Sequence, residues 1–242
     1  MSEEIKEGFD KDGWEITAKR FVGYIDIMGF KDLVARSTHE EIYEMMKNIY
    51  EQRTTNINIY GKNKDLELVR TTTYSDSIMI YTKDESKESF ESFLMILSSL
   101  TNDLFIEGVP HKGAVAFGMM TLDLTNSIFF GQPLIDAYLL QEELFFYGII
   151  IHASAEQKID TVKQIDRTFM IKNYFCPLKN GNSWHLTIYP FWAPEDLKTS
   201  QYKEHSKNLF DAIKKLRYQT SGYLRKYIDN TEAYLNFINK GE

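Results

Sequence analysis

Strands alternating with helices, followed by a tail that is helical alone, predict an α/β or α+β domain with a helical C-terminal extension. Three observations carry that expectation. Short runs rich in β-branched and aromatic residues alternate with segments of helical spacing from Arg20 to Tyr189. From Lys203 to Phe237 only the helical spacing remains. The chain of 242 residues is 43% apolar, enough for a proper core, which excludes wholesale disorder. Its length fits one large domain or a domain with a small appendage. The expected division is a solvated leader over 1–18, a main domain over 19–195 and a helical extension over 196–242.

Taken in order, RFVGYIDIMGF (Arg20 to Phe30) reads as a buried strand closed by Gly29. Lys31 to Tyr60 has helical spacing, with Leu33, Val34, Ile42, Met45, Met46 and Ile49 among charged residues. Leu66 to Tyr81 is β-rich on both sides of a polar centre, Thr73 to Ser77, and reads as a hairpin. Phe90 to Phe105 has the spacing of an amphipathic helix. After Pro110, HKGAVAFGMM reads as a strand whose Gly113, Ala114, Ala116 and Gly118 admit close approach of a backbone or ligand. Ser127 to Gly131 is short and apolar. Gln132 to Tyr147 is a helical pattern with Pro133 in its first turn, where proline is tolerated. Gly148 to His152 and His185 to Tyr189 read as strands, and Ala193 to Gln201 is the one linker-like stretch.

Composition narrows the function. Lys plus Arg is 28 against 35 acidic residues, a net charge of −7, which disfavours wrapping a nucleic-acid backbone. The locally basic tail, with Lys214, Lys215, Arg217, Arg225 and Lys226, reads as a solvated helix face or dimer contact. One cysteine, Cys176, excludes an internal disulfide and a Cys-rich zinc site. The acidic start MSEEIKEGFDKDGWE is not a signal peptide, and no apolar run approaches the ~20 residues that span a bilayer. The expectation is a soluble cytoplasmic protein without a membrane or nucleic-acid partner. No P-loop or GxGxxG occurs. His39, His111, His152, His185 and His205 show no metal-ligand spacing and are assigned no chemistry.

Two aspartates stand out. Asp26 lies near the end of an apolar strand, between Ile25 and Ile27, and Asp76 lies in the hairpin turn between Ser75 and Ser77. A carboxylate inside an apolar strand is costly unless something pairs with it. Carboxylates on neighbouring strand ends suit hard divalent cations. Asp26 as a cap before Gly29 and Asp76 as an ordinary turn residue fit the spacing equally well.

Four blocks change that balance. Asp26-Ile27-Met28-Gly29-Phe30 resembles the motif that opens the catalytic domain of class III nucleotidyl cyclases. Thr73-Tyr74-Ser75-Asp76 falls at the place of that family's second metal-binding aspartate. Lys112 to Gly118 resembles its next strand, and Gly131 to Tyr138 its following turn and helix. The flavour YIDIMGF, YSDSIMIY, HKGAVAFG and FGQPLIDAYLLQEE is most similar to the pyrimidine cyclases of bacterial Pycsar anti-phage systems.

That resemblance implies an α+β fold with a ferredoxin-like βαββαβ core, an antiparallel sheet with helices packed on it. It implies a homodimer with composite active sites that cyclises UTP, or next CTP, to a 3′,5′-cyclic nucleotide and pyrophosphate. The product would switch on an anti-phage effector. By carry-over, Asp26 and Asp76 bridge two Mn²⁺ or Mg²⁺ ions through side-chain oxygens and Ile27 adds its backbone carbonyl. Met28, Gly29 and Phe30 receive the triphosphate on backbone N–H groups at a helix start, Phe30 serving equally well as core.

The departures concern the base and the ribose. Where purine cyclases carry a base-reading lysine and aspartate, this sequence has Thr72 and Ile128. Each lost hydrogen bond is worth roughly 0.5–1.5 kcal/mol, which argues against ATP and GTP and is consistent with a pyrimidine, without choosing between uracil and cytosine. Where they carry a ribose asparagine and a transition-state arginine, it has Ile135 and Leu139. Arg70 and Lys112 are candidate replacements for base or phosphate contact, Asp136 and Tyr138 for the polar pair, and Tyr50 for stacking on a base. Each also reads as an ordinary surface or packing residue. A purine cyclase, and a cyclase-like domain that binds without turnover, are the competing functions.

Overall fold

The computed structural model describes residues 8–60, 65–161, 170–190 and 200–239. Strand β1 (Thr17–Ile27) runs into helices α1 (Phe30–Arg36) and α2 (His39–Tyr60), where spacing alone suggested one helical segment. The break is a capping box. Thr38 Oγ1 accepts the Glu41 N–H at 3.2 Å while Glu41 Oε2 accepts the Thr38 N–H at 2.8 Å, which starts a new helix.

A single helical turn, α3 (Asp65–Leu68), leads into the hairpin of β2 (Val69–Tyr74) and β3 (Ser77–Thr82). Its turn is Ser75-Asp76, with Ser75 at φ 55°, the left-handed conformation that two-residue hairpin turns use. Helix α4 (Lys87–Ile106) is capped by Ser86, whose side chain accepts the Ser89 N–H. Then come β4 (His111–Asp123), β5 (Ile128–Gly131), α5 (Gln132–Glu143), β6 (Gly148–Ile151) and α6 (Ala153–Thr161). Strands β7 (Ile171–Leu178) and β8 (Gly181–Ile188) precede α7 (Ser200–Gln219) and α8 (Arg225–Asn239). Helix α5 ends before Tyr147 because Leu144 turns extended and bridges Leu178. Most of the expected linker, residues 193–199, lies outside the described residues.

The sheet order is β2-β3-β1-β4-β6-β8-β7, with β5 paired to β4. Among the described residues every strand pairing is antiparallel except β4 with β6. The first four strands, with α1 to α3 between β1 and β2 and with α4 between β3 and β4, form the βαββαβ unit. Their order β2-β3-β1-β4 is the ferredoxin-like one. The α+β expectation holds on topology alone.

Alternation along β1 separates two layers. Phe21, Ile25 and Ile27 join Phe90, Phe93 and Leu97 of α4, with Ile49 of α2, in the first core. Helix α4 is buried nearly all round rather than on one stripe, since α2, α3 and α7 close the sides that the sheet leaves open. On the opposite face, α5 lies over β1 and β4. The small residues of β4 allow this: a Cβ on Gly118 would stand 3.2 Å from Pro133 Cδ. Beyond α5, residues of α7 and α8 pack with Ala114, Ala116 and Ile150 in a second core, which includes Leu209, Ile213, Tyr227, Ile228, Tyr234 and Leu235. The C-terminal helices are thus part of the domain's packing. In the tail, Arg217 Nη2 lies 2.6 Å from both Asp229 and Glu232, so part of its basic character is neutralised internally.

The expected solvated leader is partly folded in. Trp14 is buried with Val22, Tyr81, Met120 and Leu122. Its ring faces the guanidinium of Arg70 at 4.1 Å and that of Arg20 at 5.7 Å, and Arg70 is ion-paired to Asp10 and Asp12. A tryptophan among charges reads as surface in sequence; the two arginines make its burial favourable. No helix among the described residues is long and apolar enough to cross a membrane.

His111 is fully buried, with Nδ1 2.9 Å from the Val109 carbonyl and its ring 4.7 Å from Phe105. Burial pushes its pKa down to about 4, the Val109 bond opposing. The folded value lies below the unfolded one of about 6.5, so the unfolded chain takes up the proton first and stability falls as pH drops from 6.5 toward 4. Urea unfolding between pH 7 and 4 is expected to lose about 3 kcal/mol through this group. His111→Leu should flatten that part of the profile.

Candidate active site

The site is built at the C-terminal end of β1. Asp26 alternates with Ile25 and Ile27, so its side chain leaves the α4 layer and emerges on the α5 face, in register with Ser77 of β3 and Lys112 of β4. Asp76 is brought to it by the hairpin turn. The Ile27 N–H donates to the Asp76 carbonyl at 2.8 Å, which stitches the turn onto the end of β1. The two aspartates that sequence singled out, 50 residues apart, are therefore neighbours.

Burial raises the Asp26 pKa, and the charges of Asp76 and Glu142 add to the rise while Lys112 opposes it. Lys112 is itself buried, with Nζ 3.0 Å from Glu142 Oε1 at the end of α5. Tyr24, two residues before Asp26 on the same face, shares a 2.5 Å hydrogen bond with Ser77 Oγ and meets Tyr138 of α5 edge-on at 5.4 Å. Burial raises the Tyr24 pKa, the Ser77 bond opposes, and the Asp26 and Asp76 charges add to the rise. Tyr227 of α8 is buried near enough for Asp26 and Glu142 to help raise its own pKa, after burial and Tyr223.

After Asp26 the chain turns through Gly29 at φ 73°, a conformation that glycine adopts without strain. The Asp32 and Leu33 N–H groups both return to the Gly29 carbonyl, so Gly29 and Phe30 precede the first intrahelical donors. Their N–H groups stand at the positive end of α1. Met28 differs: its N–H donates to the Pro110 carbonyl at 2.8 Å. As an expected phosphate donor it is already committed to holding β1 and β4 together. Phe30 also packs partly against the first core.

The other expected contacts are not gathered here. Arg70 stands opposite Tyr81, which pairs with Val22, four residues back from Asp26 or roughly 13 Å along the strand. Its guanidinium is engaged by Asp10, Asp12 and Trp14. Tyr50 is exposed on α2, in the helical layer on the other side of the sheet. Thr72 is half-buried on β2, Ile128 is exposed on β5, and Ile135 and Leu139 are exposed on α5. Asp136 takes a bond from Gln132 Nε2 at 2.8 Å. Cys176 is buried and its thiol is pushed up to about 12, chiefly by burial, which makes it inert. His152 shares the single nitrogen Nδ1 with Ser154 Oγ and, at 3.9 Å, with Asp136, so those three form no proton relay.

Tyr24 was legible as the same-face neighbour of Asp26, but spacing drew no attention to it. Glu142 and Tyr227 had no sequence signal, because only the packing of α5 and α8 brings them here.

Among the described residues no three His, Cys, Asp or Glu side chains form a self-sufficient metal cage. Magnesium and manganese sites that serve phosphate chemistry need less: one or two carboxylates, with the remaining oxygens from substrate and water. Asp26, partly desolvated, and Asp76, brought to the same strand end by its backbone bond to Ile27 and near enough for its charge to act on Asp26, can supply those carboxylates, and the carbonyl of Ile27 lies at the same place.

No protein-family model matches the sequence, and no curated protein matches it. Solved structures do. The adenylyl cyclase CyaB from P. aeruginosa is 15% identical, with a TM-score of 0.45 over 75% of this chain and 97% of that one. A bacterial light-regulated adenylyl cyclase is 12% identical, with a TM-score of 0.46 over 81% of this chain and 98% of that one. The catalytic core of a rhodopsin-guanylyl cyclase with converted specificity, solved with ATPαS, is 13% identical at 0.47, over 71% and 95%. The fold assignment rests on the strand order itself.

Because the folded state raises the Asp26 pKa, the charged carboxylate lowers stability above that pKa, and the penalty vanishes below the unfolded value of about 3.9. In metal-free buffer, Asp26→Asn is expected to melt higher than the wild type at pH 7. The difference should shrink as pH falls through the carboxylate range, read by calorimetry on both proteins.

Proposed function

We propose that this protein is a metal-dependent nucleotide cyclase acting on a pyrimidine nucleoside triphosphate, UTP before CTP. The observation that carries this is the meeting of Asp26 and Asp76 at the end of β1, beside the open first turn of α1. The reaction forms a bond from the ribose 3′-oxygen to the α-phosphorus, breaks the bond from that phosphorus to the bridging oxygen, and releases pyrophosphate with loss of the hydroxyl proton. Two divalent ions held by Asp26 and Asp76 would supply the positive charge that favours the 3′-oxyanion and the leaving group. The N–H groups of Gly29 and Phe30 would orient the triphosphate at the N-terminus of α1. Tyr24 and Tyr227 lie close enough to Asp26 to feel its charge, and reduced contact with bulk water strengthens charge interactions there.

Thr72 and Ile128, at the positions where purine cyclases read their base, support the pyrimidine reading. The sequence resemblance to Pycsar cyclases supports a cyclic nucleotide that acts on a separate anti-phage effector.

The same reading includes a homodimer. On α5, Ile135, Tyr138 and Leu139 form an exposed row at helical spacing, and on the opposite face of the sheet Met119, Ile128 and Phe130 are exposed on the β4–β5 ribbon. Exposed apolar rows of this kind suit an interaction site, and because a second copy carries the same Ile135 and Leu139, ribose and phosphate contacts across the dimer would come from other residues.

Incubation with UTP, CTP, ATP and GTP in turn, with Mn²⁺, and resolution of products by mass is the direct test. One cyclic pyrimidine nucleotide is expected, falling by more than about 100-fold in Asp26→Ala and in Asp76→Ala, since losing a ligand costs more than losing a ligand's partner. A cyclic purine would overturn the pyrimidine assignment, and no product from any nucleotide would overturn the cyclase. Leu139→Glu is expected to halve the mass seen by light scattering and to abolish product formation.

A further inference from the structure

Lys112 is a buried cation beside the carboxylates that the proposed chemistry leaves without a task. It is 4% exposed. An ammonium in that position is costly unless its surroundings compensate it, and an apolar residue of similar length would fill the space at lower cost. Its compensation is specific. Nζ lies 3.0 Å from Glu142 Oε1. Glu142 is in turn held by Gln141 Nε2 at 2.9 Å and faced by Lys179 at 3.8 Å, so the anchor is fixed from two further sides. Across the β1–β4 ladder Lys112 is the direct partner of Asp26, a spacing that puts their Cβ atoms about 5 Å apart. Asp26 thus stands between an ammonium on its β4 side and, on its β3 side, the hairpin that carries Asp76.

Left alone, two adjacent carboxylates turn away from each other and toward water. A cation fixed on the β4 flank acts on the Asp26 charge from that side and favours carboxylate orientations that keep Asp26 beside the hairpin rather than turned out to water. We propose that Lys112, anchored by Glu142, is a positioning residue that presents the Asp26 carboxylate for divalent-ion binding. This rests on the reading of Asp26 and Asp76 as metal ligands. Groups that hold a metal ligand in place typically contribute 10–100-fold in metal affinity.

The test is Mn²⁺ binding to the full chain without nucleotide, from the electron paramagnetic resonance signal of free Mn²⁺, with melting temperature alongside. Lys112→Met is expected to weaken Mn²⁺ binding about 10- to 100-fold while the melting temperature holds or rises. Lys112→Arg should recover part of the loss. Glu142→Gln should weaken binding in the same direction by less, and serves as the probe if Lys112→Met does not fold. The opposite electrostatic expectation is clear, since removing a nearby positive charge without changing Asp26 would tighten Mn²⁺ binding. Unchanged or tighter binding in both Lys112→Met and Glu142→Gln would overturn the positioning role. If Asp26→Asn itself leaves Mn²⁺ binding unaltered, the metal reading fails instead, and the two failures are told apart.

Discussion

Strand β1 is paired on both edges, by β3 and by β4, and this double pairing is the constraint on which the rest of the molecule depends. A strand so held cannot rotate a side chain from one face to the other, because a shift of one residue would invert them all. Phe21, Ile25 and Ile27 are committed to α4, and Asp26 is therefore committed to the opposite face. The same double pairing sets Ser77 on one flank and Lys112 on the other, and the hairpin that closes β2 on β3 delivers Asp76. The local chemistry follows from register more than from any loop.

The second face is organised by what is small. Ala114, Ala116 and Gly118 leave room for α5 to lie close to the sheet, and Pro133 rests where any larger residue at 118 would intrude. That approach carries Glu142 to Lys112 and Tyr138 to Tyr24. Helix α8 then adds Tyr227 from the far end of the sequence. A site assembled by two strands, a hairpin turn and two helices is preorganised by packing that lies largely outside it.

Much of this was legible in the amino-acid order. The strand around Asp26, the hairpin around Asp76, the small-residue strand and the proline-led helix each follow from local patterns, because their side chains report the faces they bury. Where reading failed, local pattern competed with distant packing. Helix α4 carries serines at buried positions, Ser98 among them with its hydroxyl 2.7 Å from the Tyr189 carbonyl, so it looked amphipathic while being covered on all sides. The division between α1 and α2 was encoded in Thr38 and Glu41 but hidden by continuous helical spacing. Strand β7 lacks clean alternation and contains Pro177, tolerable at the outer edge of a sheet. At the candidate site, the structure brings Asp26 and Asp76 together, as their sequence contexts suggested, whereas Arg70 and Tyr50 were drawn in by residue type and resemblance, neither of which reveals that Asp10, Asp12 and Trp14 engage the arginine.

The indole of Trp14 is sealed between two guanidinium groups, while Trp184 is largely open to solvent. Indole emission shifts with the polarity of its surroundings, so these two rings differ in spectrum, and a third, Trp192, lies outside the described residues. With Trp184 and Trp192 replaced, the fluorescence of Trp14 becomes an intrinsic optical gauge of whether residues 8–16 are seated on the sheet, readable without a label while other events take place at the opposite end of β1.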